Sequence, residues 1–236
     1  MASWQDGEHP MIDLEAEARN DRLAAEPREE DGYEGAPFLV RVTERRRLSI
    51  IREMTRPTAG LSVLEVGSGE GEVLRMFPDA RLTALDVSLN VSNARREVAR
   101  QKLTGFDARF VTGEVEALAG ERFDRIICTE VLEHVADPEA TLAAVARLLA
   151  PGGAAVFTVP NDPLMLRLWR VVRFTPLGWI LGRRMWGGSE DPRLHAWTPR
   201  TFEDLLERHF RVVERHAAPM EALPIRACFR CLPRRR

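Results

Sequence analysis

The stretch Val63-Leu64-Glu65-Val66 runs into a glycine turn, Gly67-Ser68-Gly69-Glu70-Gly71, and a second apolar run then ends in an acid at Leu85-Asp86-Val87. A buried strand, a tight turn, a helix start and a second strand closed by a carboxylate form the repeating unit of an open α/β sheet. Glycine lets the backbone pass close to a ligand with no Cβ in the way. A carboxylate at the end of the second strand can accept hydrogen bonds from both ribose hydroxyls. These residues therefore predict a parallel sheet that carries a nucleoside pocket.

The glycine spacing narrows the ligand. A dinucleotide fingerprint would put its third glycine at position 72, where Glu72 stands; the glycine falls at Gly71 instead. No Gly-Lys-Ser/Thr occurs, which excludes a phosphate-cradling loop. Glu65 and Glu70 beside the turn would repel a pyrophosphate and suit a cationic ligand.

Periodicity extends the pattern. Apolar runs at 62–67, 81–87, 108–112, 123–129 and 153–159 read as strands, with helices at about 71–77, 90–103 and 138–149 between them. Asp137-Pro138 opens the last of these helices and Pro151-Gly152-Gly153 follows it. Such alternation predicts a parallel sheet covered on both faces. An amphipathic helix from Phe38 to Met54 precedes it, with Phe38, Val42, Leu48 and Ile51 expected on its buried side. After Pro160 the alternation breaks: 161–197 reads as an insertion and Pro199 to His209 as a helix. Runs 210–216 and 223–232 have hairpin character and are separated by Pro219. Residues 1–36 are acidic and weakly hydrophobic, and read as a flexible lead-in to a domain over 37–236.

Motif and order together resemble the class I S-adenosylmethionine-dependent methyltransferases over about 38–232. The resemblance implies a doubly wound, mostly parallel seven-stranded sheet of order 3-2-1-4-5-7-6, with the insertion after strand 5 roofing the acceptor site. It implies S-adenosyl-L-methionine as cofactor, with Gly67, Ser68 and Gly69 facing its methionine part above Glu65. Asp86 and Val87 would take the ribose, Glu114 and Val115 the adenine, and Thr129 would stand next to the transferring methyl. The usual acid at the adenine position is Asp, so Glu114 is a departure.

Glu130-Val131-Leu132-Glu133-His134-Val135 follows the fourth strand. At helical spacing Glu130, Glu133 and His134 would share one face, where two carboxylates and an imidazole suit a divalent metal. Alternatively, His134 is a general base tuned by the carboxylates. The block resembles ubiquinone-biosynthesis O-methyltransferases, where such a run is associated with Mg²⁺. It also resembles bacterial small-RNA 2′-O-methyltransferases, which add a later histidine; His195 has a comparable place. Candidate catalytic residues are thus His134, Glu130 and His195. A third reading gives these residues only the job of stabilising the loop.

Residues 164–186 are rich in Leu, Trp, Met and Val, with Arg167, Arg170 and Arg173 repeating every third position. Pro176 and Gly178 break the run too often for a transmembrane helix. It reads as a lid for an aromatic or lipophilic acceptor, or as a peripheral membrane contact. Net charge of −2 gives no push toward nucleic acid. Cys128, Cys228 and Cys231 make no disulfide framework and no secretory signal opens the chain, so a reduced, cytoplasmic setting is expected. Cys228 and Cys231 form a C-x-x-C within a strand, where an odd offset sends the side chains to opposite faces. The reading is a methyltransferase of a hydrophobic small molecule, acting most naturally at oxygen. Its rivals are a metal-dependent 2′-O-methyltransferase of RNA 3′ ends and a non-catalytic cofactor-binding protein.

Overall fold

The computed structural model describes residues 38–87, 93–172 and 193–234. The acidic lead-in and much of the expected lid, including Arg173, lie outside the described residues. The elements run α1 (Phe38–Thr55), β1 (Ser62–Val66), β2 (Arg81–Asp86), α2 (Asn93–Lys102), β3 (Ala108–Thr112), β4 (Phe123–Thr129), α3 (Pro138–Leu148), β5 (Leu149–Pro160), α4 (Asp162–Val172), α5 (Pro199–His209), β6 (Phe210–Met220) and β7 (Leu223–Pro233). Seven strands form one sheet of order β3-β2-β1-β4-β5-β7-β6, as the resemblance implied. β1 to β5 are parallel, and β7 runs antiparallel to both β5 and β6.

Register places the functional edge. Val66 pairs with Leu85 on one side and with Cys128 on the other, and Asp86 pairs with Thr112. The ends of four parallel strands therefore line up. The strand order reverses between β1 and β4, which is where ligands of open α/β sheets bind.

Each face of the sheet carries its own core. One face packs Phe123, Ile126, Phe157 and Cys231 against Phe202 and Leu206 of α5 and Leu142 and Val145 of α3. The other packs Val63, Ile127, Val156 and Cys228 against Ile50, Ile51 and Met54 of α1. Cys228 and Cys231 thus lie on opposite faces, as their odd offset required. Burial pushes the Cys228 thiol up to about 12 and that of Cys231 further in the same direction.

Three local expectations are corrected. No α-helix covers 71–77; only a 3₁₀ turn at Leu74–Met76 forms, because Gly71 leaves the turn in a left-handed conformation, φ +75°. In α1, Ile51 is buried and Leu48 half-buried, but Phe38 and Val42 are exposed. The buried positions there are Thr43, Glu44 and Arg47, where a 2.7 Å ion pair between Glu44 and Arg47 makes burial of charge tolerable. Pro219 does not separate the last two runs. It sits inside β6, an edge strand that can lack one N–H.

Candidate active site

The glycine turn is bent by left-handed glycines and anchored to the second strand. Gly67, Gly69 and Gly71 have φ of +73°, +48° and +75°. The N–H groups of Gly67 and Ser68 both donate to the Leu85 carbonyl, at 2.8 and 3.0 Å. Gly69 N–H donates to Asp86 Oδ2 at 2.7 Å. A Cβ at Gly67 would stand 2.3 Å from Val131 Cγ2, so only glycine lets the post-β4 loop close against the turn.

Beneath the turn lies Glu65, 2% exposed, with Oε2 lacking a hydrogen-bond partner. Burial and then the Asp86 charge push its carboxyl well above the usual range; Arg47 and the Leu74 N–H oppose this. Ser68 is also buried, with its Oγ unpartnered. A glycine cradle above an orphaned buried carboxyl fits a ligand that brings its own positive charge, as S-adenosylmethionine does. Asp86 ends β2 at this edge, its Oδ2 accepting from Gly69. Gly113 N–H donates to the Asp86 carbonyl at 3.3 Å and delivers Glu114 and Val115 to the same edge. Glu114 is exposed, whereas Val115 is buried at the start of a 3₁₀ turn. Val87 and Thr129 are half-buried where their strands end.

The segment after β4 is a turn and not a helix, so Glu130, Glu133 and His134 do not share a helical face. Glu130 takes φ +57°, a left-handed conformation that is strained for a residue with a side chain. Its carboxylate is engaged: Oε1 accepts from Thr158 Oγ1 at 3.2 Å, and Oε2 pairs with Arg226 Nε at 2.8 Å. Arg226 Nε also lies 3.7 Å from Glu44 Oε1. Glu133 is buried, and its carboxyl is pushed up to about 8, first by burial and then by the Glu130 charge. Among the described residues no three His, Cys, Asp or Glu side chains are arranged to hold a metal ion. Of the two carboxylates, Glu130 is bound by an arginine and Glu133 is buried.

The late histidine does come to this turn. The N–H groups of Leu194 and His195 donate to the Glu133 carbonyl at 2.8 and 3.2 Å, and His195 Nε2 meets the Val135 carbonyl at 3.1 Å. A carbonyl only accepts, so Nε2 carries a proton; in the neutral ring Nδ1 is then the nitrogen with the lone pair. The His195 ring stacks on Trp197 with centroids 5.5 Å apart.

Four contributors had no local signal in the sequence. Arg226 reaches Glu130 because β7 pairs back on β5, setting Arg226 opposite Pro160. Arg193 pairs with Asp162 at the start of α4, and Asp162 Oδ2 has no hydrogen-bond partner. Asn161 fastens that start to the hairpin: its N–H donates to the Ile225 carbonyl at 2.9 Å and its Nδ2 to the Pro224 carbonyl at 3.1 Å. Only Glu44 and Arg47 left a trace, as opposite charges at i, i+3.

A family model described as a methyltransferase domain matches residues 22–214. Among curated relatives, the ubiquinone biosynthesis O-methyltransferase of Parvibaculum lavamentivorans is 40% identical over 151 residues, 57% of this chain and 58% of that protein. The enzyme of that name from Ruegeria pomeroyi is 42% identical over 110 residues, 45% of this chain and 44% of that protein. The aligned region thus spans about half the length of these relatives. Among solved structures, the N-methyltransferase NodS from Bradyrhizobium japonicum in complex with S-adenosyl-L-homocysteine superposes with a TM-score of 0.65 at 20% identity, covering 93% of this chain and 99% of that one. The 1,6-didemethyltoxoflavin-N1-methyltransferase of Burkholderia thailandensis gives 0.63 at 20% identity, covering 97% and 94%. With the sheet order, the strand-end register and the glycine cradle already in place, the chain belongs to the methyltransferase-domain family, among the class I S-adenosylmethionine-dependent methyltransferases.

Proposed function

We propose that this protein methylates a hydroxyl group of a hydrophobic small molecule, with S-adenosylmethionine held at the glycine turn. The observation that carries the reading is the docking of His195 on the Glu133–Val135 turn, with Nδ1 left as a proton acceptor, next to the edge where the cofactor pocket ends. The names of the aligned curated relatives support oxygen as the methylated atom.

In this reading the Gly67–Gly69 backbone and Glu65 hold the methionine part. Asp86 and Val87 hold the ribose, and Glu114 and Val115 the adenine. The bound cofactor supplies an electrophilic methyl on a sulfonium. Displacement at such a centre asks the protein mainly to align the nucleophile and exclude water. A hydroxyl arrives protonated, so a base is needed. His195 Nδ1 takes that role, with His134 on the same turn as the neighbouring candidate. Glu130 fixes the turn through Thr158 and Arg226. Thr129 lines the edge beside the reacting methyl. Trp197 and the described part of the insertion offer apolar walls. Leu166 and Val171 of α4 are exposed beside exposed Arg167 and Arg170, which supports a peripheral membrane approach for a lipophilic acceptor. Among the described residues no helix is long and apolar enough to cross a membrane.

A mass-shift screen tests the reading, with phenols, quinol-like lipids, glycosides and short RNAs offered beside S-adenosylmethionine. A methylated phenol or quinol is the expected product. Methylation of RNA alone would overturn the acceptor assignment, and no calorimetric binding of S-adenosylmethionine would overturn the whole reading.

A further inference from the structure

The chain contains a single lysine, Lys102, among 34 basic side chains. It sits in the last turn of α2, and its Nζ lies 3.2 Å from Glu70 Oε2 and 2.5 Å from Glu72 Oε1. Those two glutamates flank Gly71, the last residue of the glycine turn. Glu72 Oε2 is also held by Arg75 Nε at 2.8 Å. The same end of α2 backs onto the turn: a Cβ on Gly71 would meet Leu103 Cδ1 at 3.4 Å and the Ala99 backbone at 3.9 Å.

The two halves of the turn are thus fastened differently. Its first half is tied by main-chain donors to Leu85 and Asp86. Its second half has the Gly71 N–H bonded to the Ser68 carbonyl at 2.8 Å and the Gly71 carbonyl accepting from the Arg75 N–H at 3.1 Å, and its side chains are held by the lysine. A glycine-rich segment has few side chains with which to hold its own conformation, and it loses the most freedom on ordering.

From this geometry we infer that Lys102 is a cofactor-positioning residue. It clips Glu70 and Glu72 to the end of α2, sets the far half of the glycine turn, and neutralises two carboxylates beside a ligand of net positive charge. The inference rests on the glycine turn being the cofactor seat. It also refines a sequence expectation: Glu70 is drawn to Lys102, while Asp86 and the buried Glu65 stand at the first half of the turn.

Removing the lysine has two separable effects. The turn loosens, which weakens S-adenosylmethionine and S-adenosylhomocysteine alike. Glu70 is left uncompensated and Glu72 keeps Arg75 alone, and the added negative charge favours the cationic cofactor over the product lacking the sulfonium charge. A residue that served only global stability would leave the ratio of the two affinities unmoved.

The test is calorimetry of both ligands with wild type, Lys102→Met, Lys102→Arg, and Lys102→Met combined with Glu70→Gln and Glu72→Gln. Lys102→Met should lose about fivefold in affinity for S-adenosylhomocysteine and less for S-adenosylmethionine, as befits a small charge network. Lys102→Arg and the triple variant should restore the wild-type ratio. Acetylating Lys102 in the folded wild-type protein should reproduce the Lys102→Met ratio, even if that variant folds poorly. Wild-type binding with an unchanged ratio after substitution or acetylation would overturn the inference. Absence of wild-type binding would instead overturn the cofactor seat itself.

Discussion

The two halves of the sheet's carboxyl edge are held by different means. On the cofactor side main-chain donors do most of the fastening: Gly67 and Ser68 N–H on the Leu85 carbonyl, Gly113 N–H on the Asp86 carbonyl and Gly69 N–H on the Asp86 carboxylate, with Lys102 behind. On the acceptor side, side-chain charges do the fastening: Glu130 to Arg226 and Arg193 to Asp162, with Glu44 and Arg47 behind them. Main-chain contacts follow from strand order and glycine placement, and they tolerate change at most neighbouring side chains. Charge contacts depend on particular residues far apart in the chain. A scaffold of this kind can keep one cofactor while its acceptor site varies.

Substitutions can break that contrast, and the largest effect belongs to the cofactor side. Gly67→Ala must place a methyl against Val131 and hold a left-handed φ, and should cost about 3 kcal/mol of stability together with cofactor binding. Thermal unfolding and calorimetry check this; a variant that binds normally would mean the loop does not close on the turn. Asp86→Ala removes the Gly69 anchor as well as the expected ribose ligand, and should weaken S-adenosylmethionine by about 2 kcal/mol. Affinity within twofold of wild type would show that the pocket is misplaced.

On the acceptor side the effects should spare the cofactor. Arg226→Met leaves Glu130 without its arginine and Glu44 with Arg47 alone, and should cost about 2 kcal/mol of stability and lower turnover, with cofactor affinity unchanged. Loss of cofactor binding in that variant would erase the distinction between the halves. His195→Ala should lower kcat by about a hundredfold, with cofactor affinity retained.

A pH series sharpens the comparison further. The Glu133 carboxyl titrates near 8 in the folded protein and in the ordinary carboxylate range when unfolded. The folded state then holds the extra proton between those values. The contribution of Glu133 to stability is therefore full below its unfolded value and is lost as pH rises toward and through about 8. Glu133→Gln should flatten the fall in Tm across that window, and an unchanged slope would reassign it to another group. The smallest effect expected is none: with Glu130 already held by Arg226 and no three metal-ligating side chains grouped among the described residues, chelator should leave turnover as it was. A chelator-sensitive rate restored by Mg²⁺ would reopen the metal reading.

The amino-acid sequence alone determined the strands, most of them to within a few residues, and the glycine turn after the first; the order of the sheet came from the resemblance. Those features rest on short-range rules: short apolar runs bounded by turns, a glycine where φ is positive, an acid at a strand end. It also determined that Cys228 and Cys231 point to opposite faces, since strand alternation needs no tertiary input. The tertiary structure alone decided what Glu130 does. Helical spacing suggested a shared face with Glu133 and His134, but a left-handed turn and an arginine arriving from β7 gave Glu130 another role. Phe38 and Val42 were misassigned for a related reason: α1 buries a charged pair there because Arg226 is available to pair with it. Local pattern reports what a segment can bury. Which charge reaches it from a hundred residues away depends on how β7 folds back between β5 and β6.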